Sequence, residues 1–525
     1  MSDEKYVLCG PRDDKPLPDL PLGHFLLQKL KQHGDKVAQV YPDSNETYTF
    51  ADIHARAVSV AEELEAHGVK LGDVIVVILT VSSDYAPLLV GTLLLGATLA
   101  PLNPAFDKGD LKALLTIYQP KLIFCGANSA AAVEEIIPHL DSRPKLIQFQ
   151  SGTWDNFLHR RSNPDYRPAD IPDFLNREAL IMCSSGTTGL PKGVMLSHGS
   201  CLAQMITSLD PCLQFSLIDD TVLQLPPVFW ISGFLMQTLS LACGSKLVVL
   251  PTFTGEKVLK TVHDYKITMM FVSPALAALL ASTPLVGQYN LSSVRNVMCS
   301  GGSMSSEMQD KLQTVLKTRL NQWFAMTETL LVIGNNPGDE IKLGSSGKLQ
   351  RNVKIKVLDI ETDKPVGALQ RGELCVIGPG VTKGYFRNPQ ATADTIDEHG
   401  WLHTGDVVYY DEDGYFYVVD RVKDLIKYKG NHVAPIEIEA FLLEHPGVKE
   451  VAVVGVRHEL DQERPMAVVV RQPGATVTER ELVDLVAKNM AEHKWLRGGV
   501  LFVDSIPKTT TGKIRRRVLR DQLNQ

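Results

Sequence analysis

From residue 19 to about 170, short apolar runs rich in β-branched residues alternate with longer stretches in which apolar positions recur every three to four residues. The runs 36–40, 74–79, 122–124 and 146–149 read as strands, and 50–67 and 110–118 as helices. Thr49 suits the N-cap of the first helix, because its hydroxyl can accept an amide proton that the first turn leaves unpaired. The alternation predicts crossover units and hence a mixed or parallel sheet covered by helices. It resumes after residue 200, with a helix at 257–265, a strand at 269–272 and a helix at 274–281. An α/β fold follows, with a large N-terminal body of more than one subdomain over residues 1–422. Near its end a hairpin spans 407–419 and turns at Asp411-Glu412-Asp413-Gly414. The remaining residues, 423–525, carry their own series: helix 435–443, strands 450–456 and 465–471, and helix 479–490. They predict a small α+β C-terminal domain.

One stretch competes with this picture. Residues 85–106 contain no charge, as a membrane span would. Prolines and glycines interrupt them, so a buried helix ending near Gly96, followed by a short strand and turn, is the better reading.

Composition changes the picture modestly. At 525 residues the chain is too long for one core, and 44% hydrophobic with 22% charged residues describes a globular protein. A net charge of -7 argues against binding nucleic acid or other polyanions through a basic surface. Any phosphate site must therefore be built from local donors and a bound cation. The eight cysteines are scattered without ligand spacing, which predicts reduced thiols and no structural zinc. A polar N-terminus unlike a signal peptide and a C-terminus unlike Ser-Lys-Leu predict a cytoplasmic protein without a transmembrane span.

Chemistry concentrates in residues 183–198, CSSGTTGLPKGVMLSH. Ser184, Ser185, Thr187 and Thr188 offer hydroxyls, Gly186, Gly189 and Gly193 let main-chain amides approach an anion, and Lys192 adds positive charge. Residues 178–182 read as a strand entering the loop and 194–196 as one leaving it, giving a glycine-rich hairpin built to hold phosphates. A P-loop would lead into a helix and has no proline before its lysine.

SSGTTGLPKG resembles the AMP-binding signature of the adenylate-forming superfamily, which includes acyl-CoA synthetases, 4-coumarate-CoA ligases, beetle luciferases and peptide-synthetase adenylation domains. Further motifs follow in that superfamily's order. Gly301-Gly302 resembles the segment that packs on adenine. Gln322-Trp323-Phe324-Ala325-Met326-Thr327-Glu328 resembles Gln-Gly-Tyr-Gly-Met-Thr-Glu, which implies Phe324 on adenine, Thr327 at phosphate and Glu328 on Mg²⁺. Gly384-Tyr385-Phe386 continues the order. Asp406 matches the ribose-binding aspartate, Arg421 a ribose and phosphate contact, and Lys423 the hinge between the two domains. Lys427 and Gly430 match a loop that faces the site during thioester formation, with His432 where glutamine is usual, and Lys513 matches the adenylation lysine.

The resemblance implies an acid-thiol ligase. It would activate a fatty or aryl acid with Mg-ATP as acyl-AMP, releasing pyrophosphate, and pass the acyl group to CoA. Delivery of the adenylate to oxygen or to a carrier protein, and a nucleotide-binding protein without turnover, are the alternatives. Trp230, Ile231, Gly233, Trp323 and Ala325 would line the acid pocket. There Trp323 and Ala325 replace two glycines, and no histidine occupies 227–233 where relatives carry a Pro-Phe-His-like stretch. The family also leaves a peroxisomal address open.

Overall fold

The computed structural model describes residues 4–150, Trp154, Phe157, Asn163, 165–184, 191–209, 218–283, 285–302, 304–335, 339–508 and 513–524. Two predominantly parallel sheets form its large body. The first orders its six strands as Lys145–Gln148, Leu122–Cys125, Val74–Ile78, Thr98–Leu102, Glu178–Ser184 and Lys192–Ser197. Its last pair is antiparallel and places Ser184 opposite Lys192. The second has seven strands: Arg319–Gln322, Asn296–Cys299, Met269–Val272, Thr221–Gln224, Lys246–Val249, Val37–Tyr41 and Glu46–Thr49.

Helices Leu22–His33, Phe50–Ala66, Tyr85–Leu94, His198–Ser208 and Ile231–Cys243 contribute to one hydrophobic cluster that also takes side chains from both sheets. A helix serving two sheets must be apolar nearly all round, which explains why every residue of Tyr85–Leu94 is buried. That helix is followed by the strand Thr98–Leu102, as the glycine and proline interruptions imply. No helix of the described residues is long and apolar enough to cross a membrane. Thr49 caps Phe50–Ala66 reciprocally, accepting from the Asp52 amide while Asp52 accepts from the Thr49 amide.

A five-stranded antiparallel sheet follows, in the order Leu8–Cys9, Lys354–Leu358, Gly372–Ile377, Leu402–Tyr410 and Phe416–Arg421. Beside it, Phe324–Met326, Leu330–Gly334 and Lys348–Leu349 form a small antiparallel sheet. The C-terminal part has a separate sheet and core, built on the long hairpin of Val448–His458 and Gln462–Arg471 and packed by helices Pro435–Leu443 and Glu479–Asn489.

Candidate active site

In an open parallel sheet the carboxyl ends of neighbouring strands emerge on one edge, the usual place for a ligand. Asn296–Cys299 and Arg319–Gln322 are parallel neighbours, so Gly301-Gly302 and Trp323-Phe324 leave the sheet side by side, and the Trp323 amide donates to the Cys299 carbonyl at 2.8 Å. Gly301 and Gly302 are exposed, and Gly301 has φ +88°. Phe324 is largely buried, while Ala325 and Thr327 are half-buried.

Glu328 lies in the turn between Phe324–Met326 and Leu330–Gly334 and is only 7% exposed. Its backbone carbonyl accepts from the Thr382 amide at 2.7 Å, and its Oε1 accepts from the Tyr385 hydroxyl at 3.1 Å. Burial, then the neighbouring Glu328 carboxylate, push the Tyr385 phenol up, so it stays a proton donor. Lys192 places its ammonium 4.9 Å from the centre of the Tyr385 ring. Ser184 and Lys192 end the two strands of the glycine-rich hairpin, while Ser185, Gly186, Thr187, Thr188 and Gly189 lie outside the described residues.

Asp406 and Arg421 face each other across paired strands. The guanidinium forks onto the carboxylate, Nε to Oδ1 at 2.9 Å and Nη2 to Oδ2 at 3.4 Å. Asp406 is 5% exposed; burial raises its pKa while Arg421, Lys513 and Lys423 pull the other way. Its backbone is fixed through the Thr404 hydroxyl, which accepts the Asp406 amide at 3.1 Å and donates to the Leu374 carbonyl at 2.8 Å. Glu373 braces the same turn. It accepts the Gly405 amide at 2.9 Å and meets His403 at 3.0 Å, which raises the histidine's pKa.

Lys513 lies near enough to Asp406 and Glu328 for both carboxylates to act on its pKa. The residue as a whole is exposed, yet desolvation of its ammonium in the cleft and then the nearby Arg421 lower its pKa, while Asp406 and Glu328 oppose them. Lys423 is lowered to about 8, first by desolvation and then by Arg421.

Two family models match this chain: the AMP-binding enzyme over residues 26–386, and the AMP-binding enzyme C-terminal domain over 437–513. The chain belongs to the AMP-binding enzymes, the adenylate-forming superfamily. It is 35% identical to a luciferin 4-monooxygenase of Photinus pyralis, covering 100% of this chain and 98% of that protein. It is 33% identical to 4-coumarate-CoA ligase 1 of Narcissus pseudonarcissus, covering 99% and 97%. Among solved structures, ATP-bound MatB from Rhodopseudomonas palustris superposes with a TM-score of 0.88 at 26% identity, covering 96% of this chain and 99% of that one.

In this AMP-binding enzyme the remaining candidates are divided. Trp323 is 4% exposed and lies flat against Gly334, where a Cβ would come within 2.4 Å of its ring. The indole therefore has its space because residue 334 lacks a side chain. Trp230, half-buried and edge-on to Phe229 with ring centres 6.1 Å apart, precedes the helix Ile231–Cys243. Ile231 is half-buried. Gly233 is buried where a Cβ would meet the Pro227 carbonyl oxygen at 2.0 Å, so glycine lets this helix start directly beneath the preceding turn.

Lys427 and Gly430 belong to a hairpin of the C-terminal sheet. Lys427 is exposed on the strand Ile426–Tyr428, its backbone amide donating to Glu463 at 2.8 Å. Among the described residues no hydrogen bond or ion pair links it to Glu328, Asp406 or Lys513. Gly430, with φ +77°, turns the chain back so that His432 pairs opposite Lys427. His432 is near enough to Asp359 to contribute to that carboxyl's lowered pKa, behind the larger effects of Thr362 and Glu361.

Tyr385 carried no assigned role in the sequence, although Gly384-Tyr385-Phe386 stood in motif order. An aromatic residue flanked by glycine in a polar loop was the available signal.

Proposed function

We propose that the chain is an ATP-dependent acid-thiol ligase of domains 1–422 and 423–525. The observation that carries this reading is the buried Asp406–Arg421 pair together with buried Glu328, with Lys513 near enough for both carboxylates to act on its pKa. A carboxylate oxygen of a fatty or aryl acid attacks the α-phosphorus of ATP, the bond to the bridging β-phosphate oxygen breaks, and pyrophosphate leaves acyl-AMP behind. The CoA sulfur then attacks the acyl carbon, the bond to the AMP oxygen breaks, and the thioester, AMP and the thiol proton are released.

This chain's part is positioning and charge stabilisation, with no covalent nucleophile. Asp406 accepts both ribose hydroxyls, Arg421 contacts ribose and phosphate, and Phe324 stacks on adenine beside Gly301 and Gly302. Ser184, the loop through Gly189, and Lys192 cradle the phosphates. Glu328 and Thr327 fit Mg²⁺: they are hard oxygen donors, and among the described residues no lysine or arginine forms an ion pair with the buried Glu328 carboxylate. Bound there, Mg²⁺ would neutralise phosphate oxygens as charge moves onto pyrophosphate. Lys513 serves adenylation. The C-terminal domain then rotates about Lys423 to bring in Lys427 and Gly430 for thioester formation, so one site serves two half-reactions. Trp230, Ile231, Gly233, Trp323 and Ala325 border the acid, with Trp323 narrowing its pocket.

The 4-coumarate-CoA ligase relatives and the ATP-bound MatB likeness support this reading. The luciferin 4-monooxygenase relatives support a second, in which the adenylate reacts with oxygen. Carboxylate-dependent pyrophosphate release, measured over graded fatty acids and several aryl acids with and without CoA, separates them. CoA-dependent turnover with a thioester product is expected. Pyrophosphate without thioester, or light from luciferin and ATP alone, points to another acceptor. Silence across the panel with ATP still bound leaves a nucleotide-binding protein.

A further inference from the structure

Tyr385 stands between two charged groups that the fold brings from different elements. Its segment is laced to the strand leaving the glycine-rich hairpin. Tyr385 bridges Val194, the Met195 amide donates to the Gly384 carbonyl at 3.0 Å, and the Phe386 amide donates to the Gly193 carbonyl at 2.7 Å. The Tyr385 amide donates to the Thr392 hydroxyl at 2.9 Å. So fixed, the ring has little freedom: it is 7% exposed, with Lys192 over its face and Glu328 Oε1 at its hydroxyl.

Filling this space would need only phenylalanine. The hydroxyl pins one oxygen of a buried carboxylate with a neutral donor, which orients the group without cancelling its charge as lysine or arginine would. The ring's negative face attracts the Lys192 ammonium and restrains a long, flexible side chain.

We propose that Tyr385 is a positioning residue for the nucleotide site: its hydroxyl presents Glu328 to the divalent cation, and its ring presents Lys192 to the nucleotide phosphates. The first half rests on the reading of Glu328 as the cation's ligand. A hydrogen-bond partner that orients a metal ligand typically contributes about 10- to 100-fold to metal affinity.

The test measures Mn²⁺ binding to the full chain by electron paramagnetic resonance, with a non-hydrolysable ATP analogue present and no acid. Affinity for that analogue without metal is measured separately. Tyr385→Phe, which keeps the ring, is expected to weaken Mn²⁺ binding about tenfold and leave metal-free nucleotide affinity unchanged. Tyr385→Leu is expected to weaken both. Unchanged Mn²⁺ affinity in Tyr385→Phe, when Glu328→Gln lowers it, overturns the positioning of Glu328 while keeping Glu328 as ligand. Unchanged affinity in Glu328→Gln removes the metal assignment and this proposal with it. Metal-free nucleotide affinity equally reduced in the Phe and Leu variants overturns the role of the ring.

Discussion

Two buried carboxylates flank the cleft, and this chain completes them differently. Asp406 faces an arginine fork, with Lys513 and Lys423 near enough to affect its pKa. Glu328 accepts from a neutral phenol at 3.1 Å, and among the described residues no ion pair to it is seen. A buried charge without a close counter-ion is costly, and a fold retains one where something else supplies the opposite charge. On the proposed function the pair would separate two tasks: Asp406, already paired with Arg421, would accept from ribose, and Glu328 would meet a cation that arrives with the nucleotide.

The most severe way to probe this division is to remove Lys513, whose pKa both carboxylates raise. Lys513→Ala is expected to slow adenylation by about two decades or more, because a donor aimed at developing charge in a water-poor cleft contributes that much. It should spare thioester formation from synthetic acyl-AMP. Lys427→Ala, at an exposed lysine of the C-terminal sheet, should do the reverse. Single-turnover measurement of each half-reaction checks this. Equal losses in one half-reaction would mean that the two lysines do not divide the work.

The finished pair can be broken directly. Arg421→Gln leaves Asp406 buried without its closest counter-ion, at an expected cost of about 2 kcal/mol. That is the lower end for a buried pair, since Arg421 is itself partly open to water. The sign of its pH dependence follows from Asp406, whose folded pKa already lies above 3.8 and rises further without Arg421. The penalty falls on the charged form, so it is fully present at neutral pH and shrinks as pH falls through the folded pKa. Urea unfolding at neutral and acid pH would show the variant's deficit narrowing. A deficit that stays constant on acidification would mean that Arg421 does not act on the ionised form of Asp406.

The residues that stage this contrast were unequally legible. Period and turn chemistry located several of the sheet strands, Thr49 as an N-cap and the strands entering and leaving residues 185–190, because these are local properties. The helix Ile231–Cys243 was not anticipated: most of its residues are buried, so it has no polar face to set a 3.6-residue rhythm. Motif order drew attention to Asp406 and Arg421, but only the antiparallel register sets them face to face. Tyr385 was missed because its hydroxyl partner is 57 residues away, and the packing of Trp323 on Gly334 was not legible because that glycine lies eleven residues on, in the strand Leu330–Gly334. Chemistry that depends on which distant strands adjoin leaves no periodic trace.

The gentlest probe acts on Glu328 before any ligand is present. Glu328→Gln keeps an oxygen that can accept the Tyr385 proton but removes a buried charge that has no ion pair among the described residues. If this carboxylate is held ready for an arriving cation, the ligand-free variant should be more stable than the parent, by about 1 kcal/mol. The order should invert with nucleotide and divalent cation added, because ligand binding stabilises only the form that binds it tightly. Chemical unfolding with and without Mg²⁺ and a non-hydrolysable ATP analogue gives both numbers. A ligand-free variant less stable than the parent would show that Lys513 and the phenol already complete Glu328. The two carboxylates would then differ in partner and not in task.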